Sequence, residues 1–220
     1  MRSLPLPLAL TARLTPVAVL ACAGWALSSG PAAPPSAAQQ QGRPAPGATS
    51  AAAPPSSAAA KAKAYDTAPA PCTSLPAALV TSLVPGAKTT GKEIPSTDPQ
   101  LRRTCSWNAL DGYDYRWLDV SFEIGASEQE ARQEYQQRVQ EKSGGGTVPG
   151  LGDSAYSIVD LTTEDRQQTR EGVVMARISN ALVIITYSGS DFETKKAPST
   201  DVINTGAIKA ARAAVGALAR

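Results

Sequence analysis

From Ser28 to Ser74 the chain contains no Val, Ile, Leu, Met, Phe or Trp. A segment without those side chains cannot bury enough apolar surface to offset the entropy of ordering it. Any folded core must therefore come from the residues that follow. Proline marks the same boundary, with twelve of the 18 lying before Cys72. The 220 residues divide into an N-terminal segment 1–29, a linker 30–70 and a single domain 71–220. The linker is almost entirely Ala, Pro, Ser, Gln and Gly, a composition expected to be disordered. About 40 residues of such coil reach about 35 Å on average, and proline stiffening lengthens that, so the segment reads as a spacer.

The first segment has the charge order of a signal peptide. Arg2 and Arg13 precede an uncharged run from Leu14 to Leu27, and the next charge is Arg43. Crossing a hydrocarbon core takes about 20 apolar residues, more than this run supplies. Within it, Val19-Leu20-Ala21-Cys22 resembles a bacterial lipobox, which makes Cys22 the candidate lipidation site. Ordinary signal cleavage and a retained single anchor are the alternatives. All three readings place the domain outside the cytoplasm, either lipid-anchored at the cell membrane or secreted, with the membrane a partner through the N-terminal lipid or anchor.

Charge and cysteine then narrow the function classes. The first 71 residues hold five Lys/Arg and one acid; Cys72 to Arg220 hold 16 and 18. The folded part is near neutral and lacks the basic stripe of a nucleic-acid binder, so no nucleic-acid partner is expected. Cys72 and Cys105 are the two domain cysteines. In an exported protein they are expected to form a disulfide, with a pair of buried free thiols as the alternative. The chain has no histidine, which removes Ser-His-Asp and Cys-His nucleophile systems and His-ligated metal sites. No catalytic residue, cofactor or metal site is assigned, and the expected role is non-catalytic binding of an envelope protein or a small apolar ligand. Two other classes stay open: a hydrolase working through carboxylates alone, and a sensor or structural domain without a small ligand.

Periodicity sketches the domain. Leu75, Leu79, Val80 and Leu83 recur at helical spacing before Pro85-Gly86. Leu101–Leu110 and Tyr115–Ile124 read as strands joined at Asp111-Gly112. In the second, Leu118, Val120, Phe122 and Ile124 alternate with Trp117, Asp119, Ser121 and Glu123. Ser127-Glu-Gln-Glu130 is a capping box opening a polar helix, with Ala131, Tyr135 and Val139 as its thin apolar stripe. Ser154–Leu161 is a further strand, Thr162–Gly172 a polar loop, and Val173–Ile178 with Ala181–Tyr187 a hairpin turning at Ser179-Asn180. A last helix covers about Thr200 to Leu218. The order α-β-β-α-β-β-β-α predicts an α+β fold: an antiparallel sheet with helices packed on it.

Three features bear on binding. Trp117 falls on the polar face of its strand, where an exposed indole can mark a ligand or partner surface; packing under the final helix is the alternative. Asp153 and Ser154 follow Gly150-Leu-Gly152, a tight turn whose residues can line a binding mouth. Asp111, Asp114 and Asp119 are acidic, but their spacing is not that of an EF-hand and a solvated turn explains them.

Pro71-Cys72 opening a helix, Cys105-Ser106-Trp107 on a strand, the S-x-x-E helix, and Val148-Pro-Gly-Leu-Gly-Asp-Ser-Ala-Tyr156 before a hairpin follow one another in a familiar order. Across most of residues 71–220 the chain resembles a family of actinobacterial secreted lipoproteins known as a domain of unknown function. The resemblance implies a cell-envelope lipoprotein, an α+β domain similar to the PsbP-like fold, an accessory or binding role and no assigned enzymatic activity.

Overall fold

The computed structural model describes residues 63–218. The N-terminal segment 1–29, Cys22 included, and positions 30–62 of the linker lie outside the described residues. A 3-10 turn, Pro71–Thr73, leads into helix α1 (Ala77–Leu83) and strands β1 (Lys92–Ile94), β2 (Arg102–Asp111) and β3 (Asp114–Ile124). Then come α2 (Glu128–Gln140), β4 (Gly146–Thr147), β5 (Ser154–Glu164), β6 (Gln167–Ile178), β7 (Ala181–Asp191) and α3 (Thr200–Leu218). The strands form one antiparallel sheet in the order β1-β2-β3-β7-β6-β5-β4. The fold is α+β with helices on an antiparallel sheet, as the pattern predicts. The short strands β1 and β4, which carry no apolar alternation, are additions at its two edges.

Alternation in the strands assigns the sheet two unlike faces. On one, Cys105, Trp107, Leu118, Val120, Phe122, Val174, Val183 and Ile185 are buried. This is the face that α3 covers, and the helix gets close because its inward residues are small. Gly206, Ala207, Ala210, Ala211 and Ala214 are buried. Two glycines mark the closest approach: a Cβ on Gly172 would stand 2.8 Å from Ile203 Cγ2, and one on Gly206 would stand 2.6 Å from the Tyr187 ring. Tyr187 donates its hydroxyl to the Leu83 carbonyl at 2.7 Å, tying α1 into the same layer. The Cys72–Cys105 disulfide fastens the 3-10 turn to the middle of β2 across 33 residues. A closed loop of that size contributes about 4 kcal/mol on the chain-entropy account.

The stretch Thr162–Gly172 is not a loop. It is the far end of the β5–β6 hairpin, which turns on two residues, Asp165 and Arg166, at φ 47° and 69°. Both central residues of a type I′ turn need positive φ, and neither residue here is the Asn or Gly that usually signals it. Residues 160–166 are exposed on both sides, so no inward–outward alternation marks them as strand.

The folded region also begins earlier than residue 71. Residues 63–70 are held by Asn180, a fully buried amide at the β6–β7 turn. Its Oδ1 accepts the backbone N–H groups of Ala64 (3.0 Å) and Tyr65 (2.9 Å). Its Nδ2 donates to the carbonyls of Tyr65 (2.8 Å) and Gly125 (3.0 Å). Every hydrogen-bonding site of the amide is used, as burial demands. Asn180→Ala should therefore cost about 2–3 kcal/mol, because it strands backbone groups as well as removing bonds. Urea unfolding of the two full chains reads the difference, and a cost within error of zero would mean that residues 63–70 are not anchored there.

Candidate functional site

The second face of the sheet is only half covered. Helix α2 opens with Ser127, whose hydroxyl accepts from the Glu130 N–H at 3.1 Å, while Glu130 Oε2 reaches back to the Ala126 N–H at 2.6 Å. Ala131 is buried beneath it, as are Met175 and Leu182 on the sheet. Arg138 joins Glu134 and Glu123, each at 2.7 Å, and so ties the helix to β3. The helix ends at Gln140, over the half of the sheet nearest the Ser179-Asn180 turn.

Beyond it the face is open. Cross-strand register sets Asn108, Trp117, Ser188, Glu171 and Asp160 in one row over five strands. Leu110, Tyr115 and Ser190 form the next row. Trp117 is 38% exposed and Leu110 57%. The Tyr115 ring meets Trp117 edge-on at 6.4 Å and Phe192 at 6.1 Å with a 40° tilt. Phe192 reaches this position because Asp191 shapes the chain after β7: its Oδ1 accepts the N–H groups of Glu193 (2.9 Å) and Thr194 (2.8 Å). The Thr194 N–H, first among these contacts, holds the Asp191 carboxyl below its ordinary range. The Phe192 N–H donates to the Tyr113 carbonyl at 3.0 Å, closing the loop on the β2–β3 turn.

Carboxylates border the aromatic row. Trp117 Nε1 donates to Asp119 Oδ1 at 2.7 Å, which fixes the indole plane. Burial, and then the Asp119 charge, push the Tyr115 phenol up. Asp160 and Glu171 stand directly opposite each other on β5 and β6, an unfavourable like-charge pair. Glu171 exposes much of its surface, yet protein crowds its carboxyl enough for desolvation to raise the pKa. Asp160 and Asp119 raise it further and Lys142, just after α2, opposes them.

The residues singled out from sequence do not converge. Trp117 sits on the open half. Asp153 lies outside it, accepting the Ser179 N–H at 2.8 Å and pairing with Arg177 at 3.1 Å, so its carboxylate holds the β6–β7 turn. Ser154 opens β5 opposite Arg177, beside Tyr135 of α2. Six residues of strand, about 20 Å, separate its row from that of Trp117. Cys72 and Cys105 are disulfide-bonded. Asp111 and Asp114 flank the hairpin turn while Asp119 faces Trp117, and among the described residues no group of three potential ligands could hold a metal. Trp107, alike in sequence to Trp117, is core and donates Nε1 to the Thr89 carbonyl at 3.0 Å. Asp160, Glu171 and Phe192 escaped the sequence reading. The first two meet only through strand register, and Phe192 follows β7 without a pattern of its own.

Two recesses, of about 340 and 430 Å³, open to solvent at other places: one beside the Pro71–Thr73 turn, one along β2. No helix among the described residues is long and apolar enough to cross a membrane.

No family model matches the chain, and no curated protein does. Partial likeness extends to two solved structures. The extracellular domain of PknH from Mycobacterium tuberculosis is 12% identical over 54% of this chain and 64% of that one, with a TM-score of 0.32. A protein from Bacteroides thetaiotaomicron VPI-5482 is 12% identical over 50% of this chain and 49% of that one, with a TM-score of 0.31. The chain thus spans less than two thirds of either.

Glu171 supplies a signed test. Its folded pKa is raised, so between the unfolded and folded values the native state binds more protons, and stability falls as pH rises through that window. Glu171→Gln removes the effect. The variant should match the parent near pH 4 and melt higher than the parent at pH 7; a gap that stays constant across that range would contradict the assignment.

Proposed function

We propose that the chain is an extracytoplasmic binding protein of the cell envelope, tethered through a lipid on Cys22. Its open sheet face docks a protein partner without catalysis. The observation that carries the reading is Trp117, a large indole displayed on the half of the sheet face that α2 leaves uncovered and braced by Asp119 and Tyr115. Exposed aromatic clusters rimmed by polar groups are characteristic of docking surfaces, because the ring buries much area at little entropy cost. The lipobox-like run, the disulfide and the resemblance to actinobacterial secreted lipoproteins support an oxidising, extracytoplasmic setting.

A small apolar ligand fits less well, since ligand sites enclose most of their guest and both recesses here are open. The carboxylate hydrolase has one observation in its favour, the raised pKa of Glu171 beside Asp160. That pair lies on an exposed face with no cleft to exclude water, so binding is preferred.

Two experiments test the proposal. A photo-crosslinking residue placed at position 117 of the full chain, in its own cells, should give a protein adduct that the same residue at Val202 on α3 does not. Identical products at both positions, or none at 117, would remove the docking face. Cys22→Ser should abolish labelling by an alkyne fatty acid and release the protein from the membrane fraction; labelling that persists would move the anchor elsewhere.

A further inference from the structure

One edge of the sheet is half unpaired. Strand β1 covers β2 only at Thr104–Ser106, whereas β2 continues to Asp111. The β2–β3 hairpin turns on two residues, Gly112 and Tyr113, with Gly112 at φ 61° as a II′ turn assigns to glycine. Such a turn closes on a hydrogen-bonded pair, Asp111 with Asp114, and the bonded positions then alternate through Ala109, Trp107 and Cys105. Asn108 and Leu110 consequently aim N–H and C=O away from β3, into the lane that β1 has left. Neither has a backbone partner there among the described residues.

That lane is shaped. A recess of about 430 Å³ runs along it, with β2 from Ser106 to Leu110 as one wall and the segment from Gly86 to Lys92 as the other. The second wall is firmly set: Trp107 Nε1 holds the Thr89 carbonyl. Gly91, at φ 64°, packs so near that a Cβ would stand 2.6 Å from Cys105 Sγ and 2.7 Å from the Trp107 ring. Ser106, 8% exposed, has a buried Oγ without a hydrogen-bond partner, and it lines the recess. A buried unpaired hydroxyl beside free ladder groups asks for a polar guest. Lys88 and Lys92 line the recess too; both are exposed and neither makes an ion pair among the described residues. Glu93, next to Lys92 in the chain, is already held by Arg103 at 2.6 and 2.9 Å.

We propose that this half-edge captures an extended acidic segment of a partner polypeptide, which adds beside β2. Its backbone pairs with Asn108 and Leu110, and its carboxylates lie against Lys88 and Lys92. Strand addition draws affinity from main-chain bonds and selectivity from side chains along the lane. A second copy of the same edge is a poorer occupant, because it would bring like-charged lysines together. The inference does not rest on the aromatic face, which adjoins this edge at Asn108 and Leu110: the cross-link reports at position 117, whereas the measurement below follows the edge amides and the two lysines, so either can fail alone.

The test uses the full chain in detergent and a fluorescein-labelled heptapeptide of alternating valine and glutamate, with a valine–lysine peptide as the counterpart. Anisotropy should show saturable binding of the first, about tenfold or more tighter than the second. Hydrogen exchange should slow at the Asn108 and Leu110 amides when the peptide is bound. Leu110→Pro removes an N–H from the free edge, a position where proline is tolerated, and should abolish binding at unchanged near-ultraviolet dichroism. Should that variant unfold, Lys88→Glu with Lys92→Glu still decides the matter, since it should reverse the preference between the peptides. Equal affinity for both peptides, no saturable binding, protection outside residues 107–111, or self-association of the chain that displaces the peptide would each overturn the proposal.

Discussion

The close seating of α3 on the sheet is the constraint from which the other features follow. Between Ile203 and Leu218 its inward surface is glycine and alanine, so the helix contributes little apolar bulk there and the strands must supply it. Trp107, Phe122, Leu118 and Ile185 do so from one face, and Ile203 fits over Gly172 where a side chain would block it. With one face sealed this way, nothing forces the other face to be apolar throughout. Helix α2 covers part of it with Ala131 as its buried contact, and the remainder is left to polar and aromatic side chains.

That remainder shows what a sheet face does when no helix covers it. Tyr115 sits between Trp117 and Phe192 and contacts both, while Asp119, Glu171 and Asp160 keep the surroundings charged. The like-charge pairing of Asp160 with Glu171 opposes folding, and so does the exposure of the indole. Stability alone would replace both, and local departures of this kind concentrate where a surface has a task.

Much of the fold was legible. The alternation from Leu118 to Ile124 assigned β3 its two faces correctly, because period-2 burial is a local property of one strand. The spacing of Ile203, Ala207, Ala211 and Ala214 likewise located α3. The far end of the β5–β6 hairpin was not legible, since it is solvated on both sides and its turn uses Asp165 and Arg166 instead of glycine. Nor was the anchoring of residues 63–70, which depends on one amide more than a hundred positions away. Of the open face, Trp117 could be read from its strand, but Glu171, Asp160 and Phe192 could not. Neighbourhood across strands is set by register, and a single sequence carries no direct record of it.

The Asn180 knot and the disulfide together determine how the domain would meet tension from a membrane tether. Load arriving at Lys63 would pass first to the three bonds that join the Asn180 amide to Ala64 and Tyr65, at the end of the sheet remote from Trp117. If those bonds give way, the pull meets the buried Ala68, whose N–H is held by the Gln100 carbonyl, and then Cys72, where it crosses by a covalent bridge into the centre of β2. The segment between the two cysteines, which holds α1, β1 and the lysine-lined recess, is closed into a ring by that bridge. On the proposed tethering, loss of the knot would lengthen the tether before any load reached the disulfide.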